Sequence, residues 1–172
     1  ADPGLRSLVE ATIGQQLTVD EDVHVTVLYL GDVPPTSLGE VQTAIAAEVA
    51  VMTPRLLERG MVRAFPHGPN GTPIVVEFED SWPVAGLHDA LLARLAHVIS
   101  AKQHLRYRPH LTVGYAAAPL STEALTAILA VDASHVRVPV AQVALHVGAL
   151  EVMSVTVGQE PVPGSNAEPA AK

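Results

Sequence analysis

Two short segments, one in each half of the chain, share the order histidine, apolar residue, threonine, apolar residue, any residue, tyrosine. We name them the first motif, which begins at His24, and the second motif, which begins at His110. Both segments are rich in β-branched and aromatic residues, a composition typical of strands. We therefore predict a buried strand over residues 23–30 and a second strand over residues 110–115.

The elements predicted around the motifs follow one order twice: strand, helix, hairpin. Ser37 and Glu40 have the spacing of a capping box, whereas Ser121 provides only half of such a helix-start signal. The predicted helices span residues 5–17, 37–52, 84–100 and 121–130, and the predicted hairpins pair residues 60–65 with 73–79 and 136–146 with 151–157. A repeated unit of this kind predicts an α+β chain made of two similar lobes.

The two ends of the chain have different compositions from the rest. Residues 159–172 are mostly Pro, Gly, Ser and Ala without apolar periodicity, which predicts a disordered tail or linker. Residues 1–158 then form a single domain. Because the sequence begins at Ala1 and not at Met, we expect a processed or trimmed chain, or one excised from a larger polypeptide.

The overall charge restricts the partners that the chain can bind. Its formal net charge is -8, from ten Lys and Arg against eighteen Asp and Glu. Binding of a long nucleic-acid duplex requires a basic face, because phosphate neutralisation dominates that interaction. We therefore expect a small nucleotide or short oligonucleotide substrate, and no long duplex.

The absence of certain features narrows the class of protein further. Without cysteine the chain has no disulfide, thiolate metal site or cysteine nucleophile. No apolar run approaches the roughly 20 residues of a membrane span, and no signal peptide opens the sequence. We therefore expect a cytoplasmic monomer with no membrane partner.

The side-chain spacing within each motif suits a phosphate. Alternate residues of a strand point to the same face, about 6.6 Å apart, so His24 and Thr26 share a face. An imidazole and a hydroxyl at that spacing can both reach one phosphate group. A single His-Thr pair on a strand is usually structural, but two pairs in equivalent positions favour a shared site. Tyr29 and Tyr115 fall on the opposite face, where packing explains them.

The two motifs resemble the paired His-x-Ser/Thr motifs of the 2H phosphoesterase superfamily, which includes 2′-5′ RNA ligase-like proteins and 2′,3′-cyclic nucleotide phosphodiesterases. Leu30-Gly31 after the first motif, Arg108-Pro109 before the second, and the final hairpin agree with this resemblance over residues 19–157. It implies a bilobed α+β fold, in which two pseudo-symmetric antiparallel sheets with flanking helices surround a central cleft. The family commonly opens with a strand, whereas here the first residues lead directly into a helix.

The resemblance implies a metal-independent phosphodiesterase without a cofactor. Histidine suits proton transfer near neutral pH, and hydroxyls can stabilise charge on the phosphate oxygens. The expected catalytic residues are His24, Thr26, His110 and Thr112, and the expected substrate-binding residues are Arg106, Tyr107, Arg108, Phe65 and Trp82. The substrate remains open among a 2′,3′-cyclic phosphate, a 2′-5′ or 3′-5′ linkage and a cyclic oligonucleotide.

Two other classes of function remain as alternatives. The chain could be a non-catalytic nucleotide-binding module or an assembly domain of a larger protein that kept the fold. A metallohydrolase using both histidines and a carboxylate is disfavoured, since the sequence contains no HxH or HxxxH spacing. We therefore expect no metal ligands.

Overall fold

The computed structural model describes residues 3–19, 23–102, 106–148 and 150–158. These residues form a mixed α+β structure in which every strand pairing is antiparallel. The helices are α1 (Pro3–Ile13), α2 (Leu38–Ala50), α3 (Trp82–Leu95) and α4 (Thr122–Ile128), and a 3-10 turn (Pro35–Ser37) precedes α2. The strands are β1 (Leu17–Thr18), β2 (Arg55–Ala64), β3 (Thr72–Asp80), β4 (His110–Ala116), β5 (Asp132–Ala133), β6 (Val138–Val140), β7 (Gln142–Val147) and β8 (Leu150–Thr156).

The main sheet contains six strands in the order β1-β4-β3-β2-β5, with β6 paired to the other end of β2. The second sheet is the hairpin of β7 and β8. The predicted hairpins are confirmed as β2–β3 and β7–β8, but the predicted strand over residues 136–146 is divided. Its first part, β6, pairs with β2, and only its second part pairs with β8.

The core lies on one face of the main sheet. Alternate residues of its central strands are fully buried there: Val62, Ile74, Val76, Leu111 and Val113. Helices α2 and α3 contribute buried side chains to the same apolar cluster. Because strand side chains alternate between faces, the residues between these core positions lie on the opposite face, which we name the outer face.

The first motif does not form the regular strand that was predicted over residues 23–30. Its backbone makes one isolated antiparallel bridge, between Val25 and Leu111 of β4. The apolar residues Val25 and Val27 still pack against the core cluster. The apolar alternation does not continue beyond Val27, since Leu28 also packs against the core cluster and Tyr29 is 72% exposed.

The end of the first-motif segment is held by the turn after α3. The carbonyl oxygen of Leu30 accepts hydrogen bonds from the backbone N–H groups of Ser100 and Ala101, at 3.0 and 3.3 Å. Gly31 has a φ of 75°, and a Cβ at this position would lie 2.5 Å from the Ser100 hydroxyl oxygen. Only glycine meets both requirements, since it tolerates positive φ and has no side chain.

The two predicted helix-start signals had different outcomes. The Ser121 hydroxyl accepts a hydrogen bond from the Ala124 N–H at 3.2 Å, which confirms it as the cap of α4. The capping box of Ser37 and Glu40 is wrong, since Ser37 makes no side-chain cap hydrogen bond. The reason is the preceding 3-10 turn, which already holds Ser37 in a helical conformation, whereas a capping residue normally has extended geometry.

The resemblance implies that each of two sheets contributes one motif, and the described strands have a different arrangement. The second motif lies on β4 inside the main sheet, the first motif bridges to the same strand, and the β7–β8 hairpin contains neither. The tail predicted over residues 159–172 lies outside the described residues. None of the described helices is both long enough and apolar enough to cross a membrane.

Candidate functional site

The bridge between Val25 and Leu111 pairs the middle residues of the two motifs. In antiparallel pairing, one step forward on one strand corresponds to one step back on the other. In the register of this bridge, each histidine lies opposite the threonine of the other motif. The opposed pairs are His24 with Thr112 and Thr26 with His110.

All four of these side chains belong to the outer face. His24 and Thr26 are exposed, and His110 and Thr112 are half-buried, whereas Leu111 between them is 6% exposed and faces the core. In this register the two histidines occupy diagonal positions, which a regular antiparallel ladder would separate by about 7–8 Å. The bridge therefore places the backbones of the two His-x-Thr segments side by side.

The imidazole of His110 is oriented by the backbone of its own strand. Its Nδ1 lies 2.7 Å from the carbonyl oxygen of Arg108. Because a carbonyl can only accept, Nδ1 carries the proton in this hydrogen bond. Nε2 therefore holds the lone pair in the neutral ring and becomes a donor in the protonated ring. One atom of His110 can thus both take up and release a proton.

Phe65 and Arg108 restrain the surroundings of this ring. The rings of Phe65 and His110 make an edge-to-face contact with centroids 4.8 Å apart and planes inclined by 67°. The guanidinium of Arg108 lies over the Phe65 ring, 5.1 Å from its centroid. Two of the predicted substrate-binding residues are therefore beside His110, although both already contact neighbouring side chains.

Glu77 binds Arg108 through both carboxylate oxygens. It faces His110 directly in the register of β3 and β4. Its Oε1 accepts from Arg108 Nε at 2.6 Å, and its Oε2 accepts from Nη2 of the same side chain. This hydrogen bonding to Arg108 is the main reason that the pKa of Glu77 lies below its usual range.

Two further arginines lie near the Glu77 carboxylate. Arg63 Nε is 3.9 Å from Glu77 Oε2, and Arg106 also lowers the pKa of Glu77 by its charge. Arg63 Nε is buried and, among the described residues, makes no hydrogen bond. Among the described charges that act on Glu77, three guanidinium groups therefore surround one carboxylate, in a chain whose net charge is -8. Such a group of guanidinium charges favours binding of an anion.

The lowered pKa of Glu77 predicts a contribution to acid stability. Since the folded-state pKa lies below the ordinary glutamate value of about 4.3, the interaction stabilises the fold above that pH. The contribution is lost as the pH falls through the lowered pKa. We expect Glu77→Gln to have a lower free energy of unfolding than the wild type at pH 7, with a difference that narrows as the pH is lowered through the acid range. Urea denaturation across this pH range measures the gap.

The matched control for this experiment is Glu79→Gln, two residues further along the same strand and exposed. A Glu77→Gln gap that stays constant with pH, or one that narrows no more than the Glu79→Gln gap, would contradict the assigned interaction.

Tyr107 lies between the two motifs. Its hydroxyl donates a hydrogen bond to the carbonyl oxygen of Thr26 at 2.8 Å. Its ring stacks on His88 of α3, with centroids 4.2 Å apart and planes inclined by 5°. Burial raises the pKa of Tyr107, so the phenol remains a donor through the neutral range. The structure thus shows Tyr107 near the motifs, with one ring face already covered by His88.

The remaining predicted substrate-binding residues lie in different surroundings. Arg106 is exposed next to Tyr107, close enough to Glu77 to act on its charge. Trp82 is 64% exposed and lines a separate groove of about 480 Å³. Arg55 lies over the Trp82 ring, 5.5 Å from its centroid, and no residue of either motif lines this groove. The structure therefore does not bring Trp82 together with the two histidines.

Sequence reasoning missed Glu77, Arg63 and His88. Glu77 and Arg63 each lie between two apolar residues of a strand. Because strand side chains alternate between faces, this position indicates a side chain that faces away from the core. Their proximity to His110 depends on the pairing of β2, β3 and β4, which the sequence did not reveal. His88 gave no signal beyond a polar residue in an apolar helix. Among the residues that the structure describes, no three His, Cys, Asp or Glu side chains cluster as metal ligands would.

Comparison with known proteins agrees with the two motifs. A family model described as the 2′-5′ RNA ligase superfamily matches residues 7–150, a range that contains both motifs and β1 to β7. No curated protein matches the chain. The matched family is the 2H phosphoesterase superfamily, to which the motifs were already similar. On the strength of this match and of the two His-x-Thr motifs, the chain belongs to the 2′-5′ RNA ligase superfamily of 2H phosphoesterases.

Proposed function

We propose that the protein is a metal-independent phosphodiesterase that acts on a nucleotide or a short oligonucleotide. The bond cleaved belongs to a 2′,3′-cyclic phosphate, a 2′-5′ linkage or a cyclic oligonucleotide. The observation that carries this proposal is the bridge between Val25 and Leu111, because it pairs the backbones of the two motifs. This bridge pairs equivalent residues of the motifs, as expected if a local two-fold relates them.

His24 and His110 are the proton-transfer groups in this proposal. One imidazole removes the proton from the attacking oxygen, which is water when a cyclic phosphate is opened. The other imidazole donates a proton to the oxygen that leaves phosphorus. Each positioned transfer typically contributes about 10²–10⁴-fold to the rate. The hydrogen bond from His110 Nδ1 to the Arg108 carbonyl supports this role, because it keeps Nε2 available for exchange with substrate.

Thr26 and Thr112 stabilise the phosphate in this proposal. Their hydroxyls donate to the non-bridging oxygens, on which negative charge increases during in-line displacement. Arg63 and Arg106 supply the local positive charge that attracts the anionic substrate. Arg108 contributes less directly, because Glu77 already occupies two of its nitrogens.

The test is a turnover screen of the purified chain in excess EDTA. The substrates are a 2′,3′-cyclic nucleotide, 2′-5′ and 3′-5′ dinucleotides and a cyclic dinucleotide. We expect cleavage of at least one class at a rate that the chelator does not change. Tight binding of all four without cleavage would instead support a nucleotide-binding module, and activity that EDTA abolishes would contradict metal independence.

A further inference from the structure

One side chain connects the two motifs outside the bridge between Val25 and Leu111. Tyr107 precedes His110 by three residues, and its hydroxyl donates to the carbonyl oxygen of Thr26 at 2.8 Å. The hydrogen bond therefore joins the approach to the second motif directly to the backbone of the first. A change in its length would alter the separation between the two motifs.

The Tyr107 ring stacks on a buried side chain, and this contact restricts the position of its hydroxyl. Its stacking partner His88 is 7% exposed and belongs to α3. His88 Nδ1 lies 3.0 Å from Asp89 Oδ1, which fixes the plane of the imidazole. Helix α3 thus provides His88, and His88 stacks on the ring of Tyr107. The hydroxyl of that ring donates to the carbonyl oxygen of Thr26.

The first motif has particular need of such a support. A regular ladder would fix the segment through a series of backbone hydrogen bonds, whereas within the described residues its pairing with β4 is an isolated bridge. The nearby connection at Leu30 lies four residues after Thr26. A hydrogen bond at Thr26 therefore acts close to the reacting groups, where a displacement of about 1 Å can cost about 100-fold in rate.

We propose that Tyr107 is a positioning residue that fixes the first motif against the second, and not a base-stacking residue for the substrate. The kinetic part of this proposal rests on the phosphodiesterase activity proposed above. The structural part does not, because the hydrogen bond to Thr26 exists whether or not the protein turns over a substrate.

The test compares Tyr107→Phe and Tyr107→Leu with the wild type. Tyr107→Phe removes only the hydroxyl, so we expect amide hydrogen exchange over residues 23–30 to accelerate by about tenfold, the effect of one lost hydrogen bond. With an active substrate, kcat falls by about 10- to 100-fold and KM changes by less than about threefold. Tyr107→Leu shows the same loss of kcat, and its KM also stays near the wild-type value.

The matched control is Thr43→Val, which deletes an exposed hydroxyl that donates to the backbone carbonyl of Gly39 on α2. We expect this variant to leave exchange over residues 23–30 and kcat unchanged. Exchange in α3 and β3 serves as the internal check on folding.

Several results would overturn the proposal. If amide exchange over residues 23–30 stays at the wild-type rate in Tyr107→Phe, the hydrogen bond to Thr26 does not fix the first motif. If exchange rises equally in α3 and β3, the variant is generally destabilised and the effect is not specific to the first motif. Unchanged kcat with a KM that rises only in Tyr107→Leu would identify a stacking residue. If the wild type cleaves no phosphodiester, the proposed function fails, and the exchange result alone then decides whether Tyr107 holds the first motif.

Discussion

Replacing His110 by alanine is expected to reduce kcat by about 100- to 10,000-fold, the range typical of general acid–base groups. The same loss is expected for His24→Ala, because in the proposed mechanism each imidazole transfers one of the two protons that move during cleavage. The Arg108 carbonyl that accepts from His110 Nδ1 remains in the variant but no longer orients a proton-transfer group. Initial rates on the cyclic phosphate or dinucleotide found in the screen measure the effect, with circular dichroism as the check on folding.

The matched control is His97→Ala. This exposed histidine pairs with Glu40 at 2.9 Å and lies outside both motifs. We expect its turnover to stay close to that of the wild type. A folded His24→Ala or His110→Ala protein with turnover like that of His97→Ala would refute the assignment of the two histidines.

The second large effect is expected at the two threonines. Thr26→Val and Thr112→Val keep the branched shape of the side chain but remove the hydroxyl that is proposed to donate to the phosphate oxygens. Removal of one such donor typically costs about 10²–10³-fold in kcat. We expect Thr→Ser at either position to retain most of the activity, since it keeps the hydroxyl. Single-turnover rates for the four variants separate this effect from substrate binding.

A different pattern would point to a packing role for the threonines. If Thr112→Val turned over as fast as the wild type while Thr112→Ser was slower, the methyl group and not the hydroxyl would be the part that matters. That result would remove the threonines from the mechanism and leave the histidine assignment standing.

The sequence predicted the elements well because their signals are local. The apolar periodicity of α3 and the turn residues between β2 and β3 are recognised within short windows, and these elements are present. The first motif illustrates the limit of such signals. Its composition predicted a strand, but the number of ladder hydrogen bonds depends on pairing with the distant β4, which no local pattern encodes.

In the candidate site, too, local patterns predicted some residues, whereas others depend on strand pairing that the sequence did not reveal. His24 and His110 were recognisable from a pattern repeated in two places, and their family is confirmed. Glu77 was missed because its partner Arg108 lies 31 residues further along the chain, brought near only by strand pairing. Tyr107 was predicted as a substrate-binding residue from its aromatic ring alone, but packing on His88 and a hydrogen bond to Thr26 give that ring other neighbours.

The central claim is that the two imidazoles act together on one phosphate, and a double-variant cycle tests it most directly. The measurement is kcat/KM for the wild type, His24→Ala, His110→Ala and the double variant on one substrate. Residues that act as a unit lose most of their effect at the first substitution. We predict a double variant within about threefold of the slower single variant. Losses that multiply would contradict the claim, because independent groups give additive free energies.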